Sequence, residues 1–432
     1  MPRCPSLPLW CLLALAALPA APALAQDDAP SLAERGIRPR LVWANDYAHN
    51  VSGGLSRGGR NAGGVVAGAD LDLDRLFGIG GATLRVTGAW YYGDSVSQHE
   101  VGNAVKVQGY WYPQQQAQLA QLSWEQNFAG GRWQLVAGRI NTTWQFARSR
   151  FGCRFVGASD CPFQLPQADG GFVGFPFVNW GAKLRYKPGA AYVAAGAFEL
   201  KPQRRLDHGL DWRLGGNTGV LGTLEAGYES ADADGPPRRL LAGLWYNPAD
   251  YADLRYNRDG GARGRVGGAP LTHTQARWGG YAMGERMLYR DAAGGKRNLT
   301  LAGALAAPFD GRQVYDLQAN LAVLLAAPFA SRPGDSLAAS VNYYRFGERQ
   351  QGYMNDLLAA AGSGDRIARD QFMVEVNYAF RIGDTPLTLV PNLQFVANPD
   401  ILGRPDAGRA PADAWIAGLR VMFNAGGPGT PK

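Results

Sequence analysis

Apolar and polar residues alternate with a period of two along sixteen short segments of this chain. Successive side chains of a β-strand point to opposite faces, so each segment would carry one apolar and one polar row. In segment 370–381, Phe372, Val376 and Phe380 share one face, and Glu375 and Asn377 share the other. The pattern predicts an all-β protein with strands at 39–49, 63–74, 82–92, 117–128, 131–140, 178–187, 190–201, 219–230, 238–247, 273–285, 297–307, 315–327, 336–346, 370–381, 385–396 and 414–423.

The connectors between these segments are alternately short and long. Tight connectors such as 129–130, 188–189 and 383–384 alternate with long ones at 93–116, 141–177, 202–218, 248–272, 347–369 and 397–413. Short periplasmic turns and long extracellular loops are typical of an outer-membrane barrel, whereas a soluble sandwich does not require this rhythm. The expected fold is a single-chain antiparallel transmembrane β-barrel, closed so that no strand edge meets lipid.

The chain begins with features of a secretory leader. Residues 1–25 combine Arg3, an apolar stretch at 9–18 and an A-x-A cleavage pattern at 23–25, which predicts a signal peptide. The expected division of the remainder is an N-terminal periplasmic segment at 26–38, the barrel at 39–423 and a disordered Gly/Pro tail at 424–432.

Composition narrows the function. The basic residues behind the formal charge of +7 are too dispersed along the chain to indicate nucleic-acid binding. The net positive charge is better explained by a basic pore lining. Cys153 and Cys161 are the two cysteines outside the leader, so a disulfide is expected between them. No metal or other cofactor is expected, because Asp70, Asp72 and Asp74 would lie about 7 Å apart along one strand, too far for a compact calcium site.

Several segments together resemble the carbohydrate-selective porins of the OprB family, in order along nearly the whole mature chain. They are 32–37, 68–74, 124–128, 135–139, 179–181, 280–290 and 391–399. The resemblance implies a sixteen-stranded barrel in the outer membrane of a Gram-negative bacterium that passes glucose-type monosaccharides by diffusion. It also implies contacts with outer-membrane lipid and lipopolysaccharide, insertion by the barrel-assembly machinery, and the possibility of a homo-oligomer.

The longest and most aromatic connector, 141–177, is the candidate constriction. A loop of this length in a compact domain is usually functional or disordered, and the expected disulfide at its tip argues for order. We expect it to fold into the barrel; the alternative is packing at the outer rim, with its arginines on lipopolysaccharide phosphates. Its candidate substrate-binding residues are Trp144, Phe146, Arg148, Arg150, Phe151 and Arg154.

Charged residues on the predicted lumen faces supply the polar part of a sugar site. Aromatic rings stack on the apolar faces of sugars, while charged and amide groups bond their hydroxyl groups. Charges of opposite sign on facing walls would create a transverse field across the pore. The candidates are Asp70, Asp72 and Glu125 against Lys183, Arg185 and Arg381. A second cluster, Tyr110, Trp111 and Tyr112, suggests either a sugar-stacking vestibule or anchoring at the membrane interface.

Three alternatives remain open from the sequence. A general or anion-preferring porin of the same fold is compatible with the net positive charge. A soluble secreted adhesin would leave the protein out of the membrane. An outer-membrane enzyme is disfavoured, because none of His49, His99, His208 and His273 lies in a nucleophile motif such as G-x-S-x-G.

Overall fold

The computed structural model describes residues 31–159, 161, 163–201, 208–230, 236–291 and 295–426. The predicted signal peptide and the tail beyond 426 lie outside the described residues, as does part of the connector 202–218.

Sixteen antiparallel strands form one closed barrel, as the alternating pattern predicted. Neighbouring strands pair in chain order, β9 pairs with β12, and β1 pairs with β18 to close the sheet. The barrel strands are β1 (Ile37–Gly54), β2 (Gly58–Asp72), β3 (Ala82–Gly93), β4 (Gln118–Phe128), β5 (Trp133–Ile140), β6 (Asn179–Tyr186), β7 (Ala191–Glu199), β8 (Val220–Glu229), β9 (Arg238–Asn247), β12 (Arg277–Arg290), β13 (Asn298–Pro308), β14 (Tyr315–Ala326), β15 (Ser336–Phe346), β16 (Asp370–Arg381), β17 (Leu387–Ala397) and β18 (Ala412–Ala425).

The remaining elements lie in the connectors. A small hairpin, β10 (Tyr251–Asn257) with β11 (Pro270–His273), stands in the long connector between β9 and β12. The helices are α1 (Leu73–Phe77), α2 (Thr142–Gln145), α3 (Gln164–Ala168), α4 (Arg263–Val266) and α5 (Glu348–Ala360). None of the helices in the described residues has the length and apolar character needed to cross a membrane.

The two faces of the barrel differ as the alternation requires. On β16, Phe372 and Val376 are 41% and 45% exposed on the outside, whereas Glu375 and Asn377 are 5% and 3% exposed on the inside. Large apolar side chains, among them Leu224 at 59%, are exposed in the same way on the other strands. An apolar outer band around a polar interior is the arrangement of a membrane-spanning barrel.

The second predicted strand ends earlier than expected. Leu73 and Asp74 belong to α1, because the side chain of Asp72 accepts a hydrogen bond from the Arg75 amide and begins a helix there. Gly78, with φ 72°, ends the helix in the left-handed conformation that glycine tolerates. The aspartate row is therefore shorter than the alternation suggested.

The strand predicted at 273–285 is displaced to Arg277–Arg290. His273 pairs with Tyr251 in the hairpin instead, so the barrel strand begins after it. At the other end a bulge between Met287 and Tyr289 breaks the alternation, and both Leu288 and Tyr289 are exposed. Because of this break, the alternating pattern did not predict the last residues of the strand, 286–290.

In the alternation of segment 117–128, Ala120 shares a face with Leu122 and Trp124, which predicts the outer face, but it lies in a buried cluster with Ala89 and Tyr91. The register between β3 and β4 shifts at Thr87 and Gly88, so that one residue of β4 is unpaired. A bulge of this kind turns the side chain at the extra residue and resets the alternation.

We expect the cost of a charge on the outer face to depend on depth. Leu224→Arg, at the middle of β8, should lower the free energy of unfolding by about 2–4 kcal/mol, because the guanidinium would lie in hydrocarbon. Val220→Arg, at the long-loop end of the same strand and face, should lower it by about 0–1 kcal/mol. Denaturant unfolding in lipid vesicles measures both, and equal costs would contradict the assigned membrane position.

Candidate pore constriction

Two long connectors fold into the lumen of the barrel. The constriction loop (residues 141–178) buries Phe146, Phe155 and Phe172, and the inner loop (residues 94–117) buries Val96 and Val107. Backbone hydrogen bonds join the two loops: the Gly109 amide donates to the Val156 carbonyl at 2.8 Å, and the Ala158 amide donates to the Lys106 carbonyl at 2.8 Å. The two loops therefore form a single body inside the barrel.

Carboxylates on the barrel wall hold the constriction loop by its backbone. Glu375 on β16 accepts hydrogen bonds from the amides of Val156 at 2.7 Å and Gly157 at 2.8 Å. Glu285 on β12 accepts from the Arg150 amide at 2.7 Å, and Glu225 on β8 accepts from the Ala147 amide at 3.2 Å. Because these are charge-assisted bonds to buried groups, they fix the path of the loop across the lumen.

Arg420 links the loop to the strands that close the barrel. Its guanidinium on β18 pairs with Asp46 on β1, with Nε 2.6 Å from Oδ1, and donates to the carbonyl of Phe155 at 3.1 Å and of Val156 at 2.9 Å. Arg420 and Asp46 are 5% and 0% exposed. An ion pair so deeply buried is tolerated because the remaining donors of the arginine are also bonded.

Small side chains on the wall make room for the loop. Phe151 and Phe155 pack against the inner surface of β13, β14 and β15, where Ala302, Ala322 and Ala338 line the lumen. Larger residues at these positions would occupy the space of the two aromatic rings. The alanines therefore form a seat for the loop rather than an open part of the pore.

The predicted disulfide is present. Cys153 and Cys161 are bonded across the tip of the constriction loop, with their Cα atoms 5.0 Å apart. The bridge closes the segment that contacts Glu375 and Arg420, so a covalent link and the wall contacts restrain the same stretch of backbone.

The acidic residues near the pore are paired with neighbouring bases. Asp70 on β2 lies 2.8 Å from Arg40 on β1 and 3.7 Å from Arg85 on β3, and Arg85 lies 3.0 Å from Glu125 on β4. The predicted placement of Asp70 and Glu125 on a wall facing Lys183 and Arg185 is wrong, because all four lie on the consecutive strands β2 to β6. Cross-strand neighbours are close enough to pair, so charges of opposite sign alternate along one wall instead.

A second ionic cluster surrounds Glu229 on β8. Its carboxylate lies 2.8 Å from Arg185, 2.7 Å from Lys187, 3.1 Å from Arg239 and 3.2 Å from Arg150 of the loop. Four cations around one carboxylate leave a net positive charge on this part of the lumen.

The constriction loop carries an aromatic and cationic group that faces the wall of β3 to β6. Trp144 stacks on Phe175 with ring centroids 4.6 Å apart, and the Arg148 guanidinium lies 5.7 Å from the Trp144 ring. Arg148 is within electrostatic range of Arg85 and of Lys183. Burial, with repulsion from Arg239 and Arg85, lowers the pKa of Arg148. The arrangement combines a flat apolar ring with cationic donors.

The predicted site residues divide into two groups. The structure brings together Trp144, Arg148, Arg150, Asp70, Glu125, Lys183 and Arg185 around the lumen next to the loop. Arg154 is exposed within the loop, and its carbonyl accepts a hydrogen bond from Asn377 at 3.3 Å.

The other predicted residues lie elsewhere. Asp72 caps α1, and Arg381 ends β16, so both lie at the short-turn end of the barrel. Phe151 packs in the alanine seat. Phe146 is 1% exposed and packs edge-on against Phe198 at 5.9 Å, where Gly196 leaves space because a Cβ there would lie 2.5 Å from the Phe146 ring.

Several residues that form the site were missed in the sequence. Arg40, Arg85 and Arg239 lie on lumen faces of strands whose alternation was recognised, so their positions were available from the pattern. In the inner loop the sequence marked the cluster of Tyr110, Trp111 and Tyr112, but it left open whether this cluster faces the lumen or the membrane interface. Tyr112 donates from its hydroxyl group to the Phe175 carbonyl at 2.6 Å and lies under the Lys106 ammonium at 3.8 Å, so this cluster faces the lumen rather than the membrane interface.

Within the described ranges there is no group of three His, Cys, Asp or Glu side chains arranged to hold a metal ion.

Comparison with known proteins identifies the architecture. The family model described as carbohydrate-selective porin, OprB family, matches residues 56–424. A high-pH structure of Pseudomonas putida OprB has a TM-score of 0.81 at 22% identity, covering 91% of this chain and 95% of that chain. A low-pH structure of the same protein has a TM-score of 0.55 at 17% identity, covering 91% and 94%. No curated protein matches the chain.

A closed sixteen-stranded barrel with an apolar outer band and a loop-narrowed, charged lumen is a porin of a Gram-negative outer membrane. The chain belongs to the carbohydrate-selective porin, OprB family. Family and fold imply a channel rather than an enzyme, and they identify its long loops as extracellular and its short turns as periplasmic.

We expect Glu375 to control how firmly the constriction loop is held. Glu375→Ala leaves the Val156 and Gly157 amides without their acceptor, so single-channel recordings should show larger and noisier conductance. Glu375→Gln keeps one acceptor and should give a smaller change. Glu348→Ala removes a glutamate whose side chain is 83% exposed on α5 and serves as the control. Conductance traces of Glu375→Ala indistinguishable from the control would contradict this role.

We also expect a pH dependence from Asp169 in the constriction loop. Its carboxyl accepts from the Val314 amide at 2.7 Å and the Tyr315 amide at 3.1 Å, but burial raises its pKa to about 7. Since the pKa is about 3.9 when unfolded, the folded state holds the proton more tightly, and stability should fall as pH rises from about 4 to 7.

The measurement is the thermal unfolding midpoint in detergent across this pH range. Asp169→Asn should reduce the fall, because the amide does not titrate, whereas Asp384→Asn in an exposed periplasmic turn should not. Identical pH profiles for the wild type and Asp169→Asn would count against the assignment.

Proposed function

We propose that this porin passes small neutral monosaccharides of the glucose type through the gap between its constriction loop and the wall of β3 to β6. The observation that supports the proposal is the placement of the stacked Trp144 and Phe175 rings beside Arg148 and the paired charges of Arg85 and Glu125. The substrate residues we propose are Trp144, Arg148, Arg185, Lys183, Glu125 and Asp70.

The chemistry of a sugar matches both halves of this arrangement. The C–H face of a pyranose ring packs on an aromatic ring, and its hydroxyl edge both donates and accepts hydrogen bonds. Arg85 and Arg185 supply donors, while Glu125 supplies acceptors, and each is held by an ion pair with a residue of another strand. A sugar that passes would replace its hydrogen bonds to water with hydrogen bonds to these side chains, and the ion pairs would stay intact.

Weak binding suits diffusion, because a pore that held the sugar tightly would not release it. The hydrogen-bonding groups of ion-paired side chains are already partly used by their partners, so each side chain adds little affinity for the sugar. The flux would then follow the sugar gradient without an energy source.

An anion-preferring pore of the same fold is the second candidate, and one observation favours it. Neither Arg148 nor Arg154 forms an ion pair with a carboxylate of the described residues, and the Glu229 cluster carries four cations. Uncompensated positive charge in a narrow lumen raises the local concentration of anions.

Sugar block of ion current distinguishes these candidates. In a planar bilayer, glucose should reduce the wild-type current in a saturable way. Trp144→Ala should weaken the apparent sugar affinity by about three- to tenfold, as expected for loss of one stacking contact. Arg148→Ala should weaken sugar block and also lower anion selectivity, because it removes a lumen charge.

Arg381→Ala is the matched control, since this arginine lies at the periplasmic end of β16 and should leave sugar block unchanged. A current that is insensitive to glucose but strongly selective for anions would contradict the proposed sugar substrate. It would support an anion-preferring pore of the same fold.

A further inference from the structure

Within the described chain four basic residues of the barrel strands belong to outward-facing rows: Arg139, which is itself buried, and Arg238, Arg286 and Arg345. Arg139 lies 3.7 Å from Glu199, and Arg345 lies 3.4 Å from Asp370. Arg238 and Arg286 are both exposed, and no carboxylate of a described residue lies within 4.0 Å of either. These two arginines are therefore exceptional on a surface where charge is costly.

Arg238 and Arg286 are also direct neighbours. They are cross-strand partners on β9 and β12 and form the last pair at the periplasmic end of the β9–β12 ladder. Like charges directly opposite each other on a sheet destabilise it, so the pair calls for an anion between the two guanidinium groups. On the same strands Arg239 and Glu285 point inward and pair in the lumen at 3.8 Å. Glu285 therefore lies on the opposite face of the sheet from Arg238 and Arg286.

Tyrosines frame the arginine pair. The Arg238 guanidinium donates to the Tyr228 hydroxyl group at 3.4 Å and lies 5.2 Å from its ring, and Tyr289 is 49% exposed further along β12. Tyrosine is typical of the level where lipid headgroups meet hydrocarbon. The pair thus lies at the height of the phospholipid headgroups in the periplasmic leaflet.

An apolar groove lies on the same outer wall, farther from the periplasmic end of the barrel than the arginine pair. It has a volume of about 650 Å³, a floor that includes Ala242 and Ala282, and walls that include Leu224, Leu244 and Leu305. Ala242 and Ala282 lie four residues from Arg238 and Arg286 along their strands, a distance of about 13 Å. Half of the hydrocarbon thickness is about 15 Å, so the near end of the groove lies at the depth that the end of an acyl chain reaches when its headgroup is at the arginines.

We propose that this outer wall of β8, β9, β12 and β13 binds one anionic phospholipid of the periplasmic leaflet. Arg238 and Arg286 hold the phosphate between them, because guanidinium groups match phosphate oxygens in geometry and charge. One acyl chain lies in the groove between Leu244 and Leu305. The charge of the arginine pair selects a headgroup with net negative charge over a zwitterionic one. The site is outside the lumen and is independent of the proposed sugar pathway.

Native mass spectrometry of the delipidated full-length barrel tests the proposal, with phosphatidylglycerol and phosphatidylcholine of identical acyl chains as probes. The wild type should retain one phosphatidylglycerol per chain, at least tenfold more strongly than phosphatidylcholine. Arg238→Gln with Arg286→Gln should abolish the preference, whereas Arg345→Gln, an outward arginine at the opposite end, should keep it. Ala282→Phe should weaken binding of both lipids by filling the groove.

Three results would overturn the proposal. Equal retention of the two lipids by the wild type, or undiminished preference in the double variant, would show that the arginines do not select an anion. Lipid-free dimers or trimers that dissociate in the double variant would assign the wall to a second copy of the chain. Glucose block of the double variant should equal that of the wild type, so the outcome is separate from the fate of the proposed function.

Discussion

Closure of the sheet is the constraint on which the rest of this structure depends. Hydrocarbon offers no hydrogen-bonding partner, so every backbone group at membrane depth must pair with another strand. The long β1–β18 ladder, from Leu41 with Ala425 to Gly54 with Ala412, meets that requirement at the seam between the first and the last described strands. The ion pair of Asp46 with Arg420 lies on the inner side of the same seam.

A closed barrel of sixteen strands encloses more space than a selective pore needs, and the two inward loops fill it. The loops are held by polar contacts to the wall, chiefly through Glu375, Glu285 and Arg420, rather than by apolar packing alone. Since Arg420 belongs to the closing strand, the same side chain takes part in barrel closure and in placing the loop. Selectivity and closure are therefore physically connected in this protein.

The strands were predictable from the sequence and the loop contacts were not, for one physical reason. Period-two alternation is a local signal, because lipid and lumen impose it on every strand separately. It failed where bulges broke the period, at Ala120 and at Leu288. The inner loop and the alanine seat under Phe155 depend on residues far apart in the chain, so no local pattern predicts them.

The same limit applies to the site. Aromatic and cationic residues marked the constriction loop as unusual, and in the structure Trp144 and Arg148 lie together. The pairing of Asp70 and Glu125 with Arg40 and Arg85 depends on the register of four strands, which the sequence leaves uncertain by one or two residues.

The central claim is that the constriction loop lies along the conducting path, and the accessibility of position 148 tests it most directly. With Arg148→Cys in a planar bilayer, a cationic thiol reagent should reduce the current irreversibly, and glucose should slow the reaction. A current that the reagent leaves unchanged would contradict the placement of this loop along the conducting path.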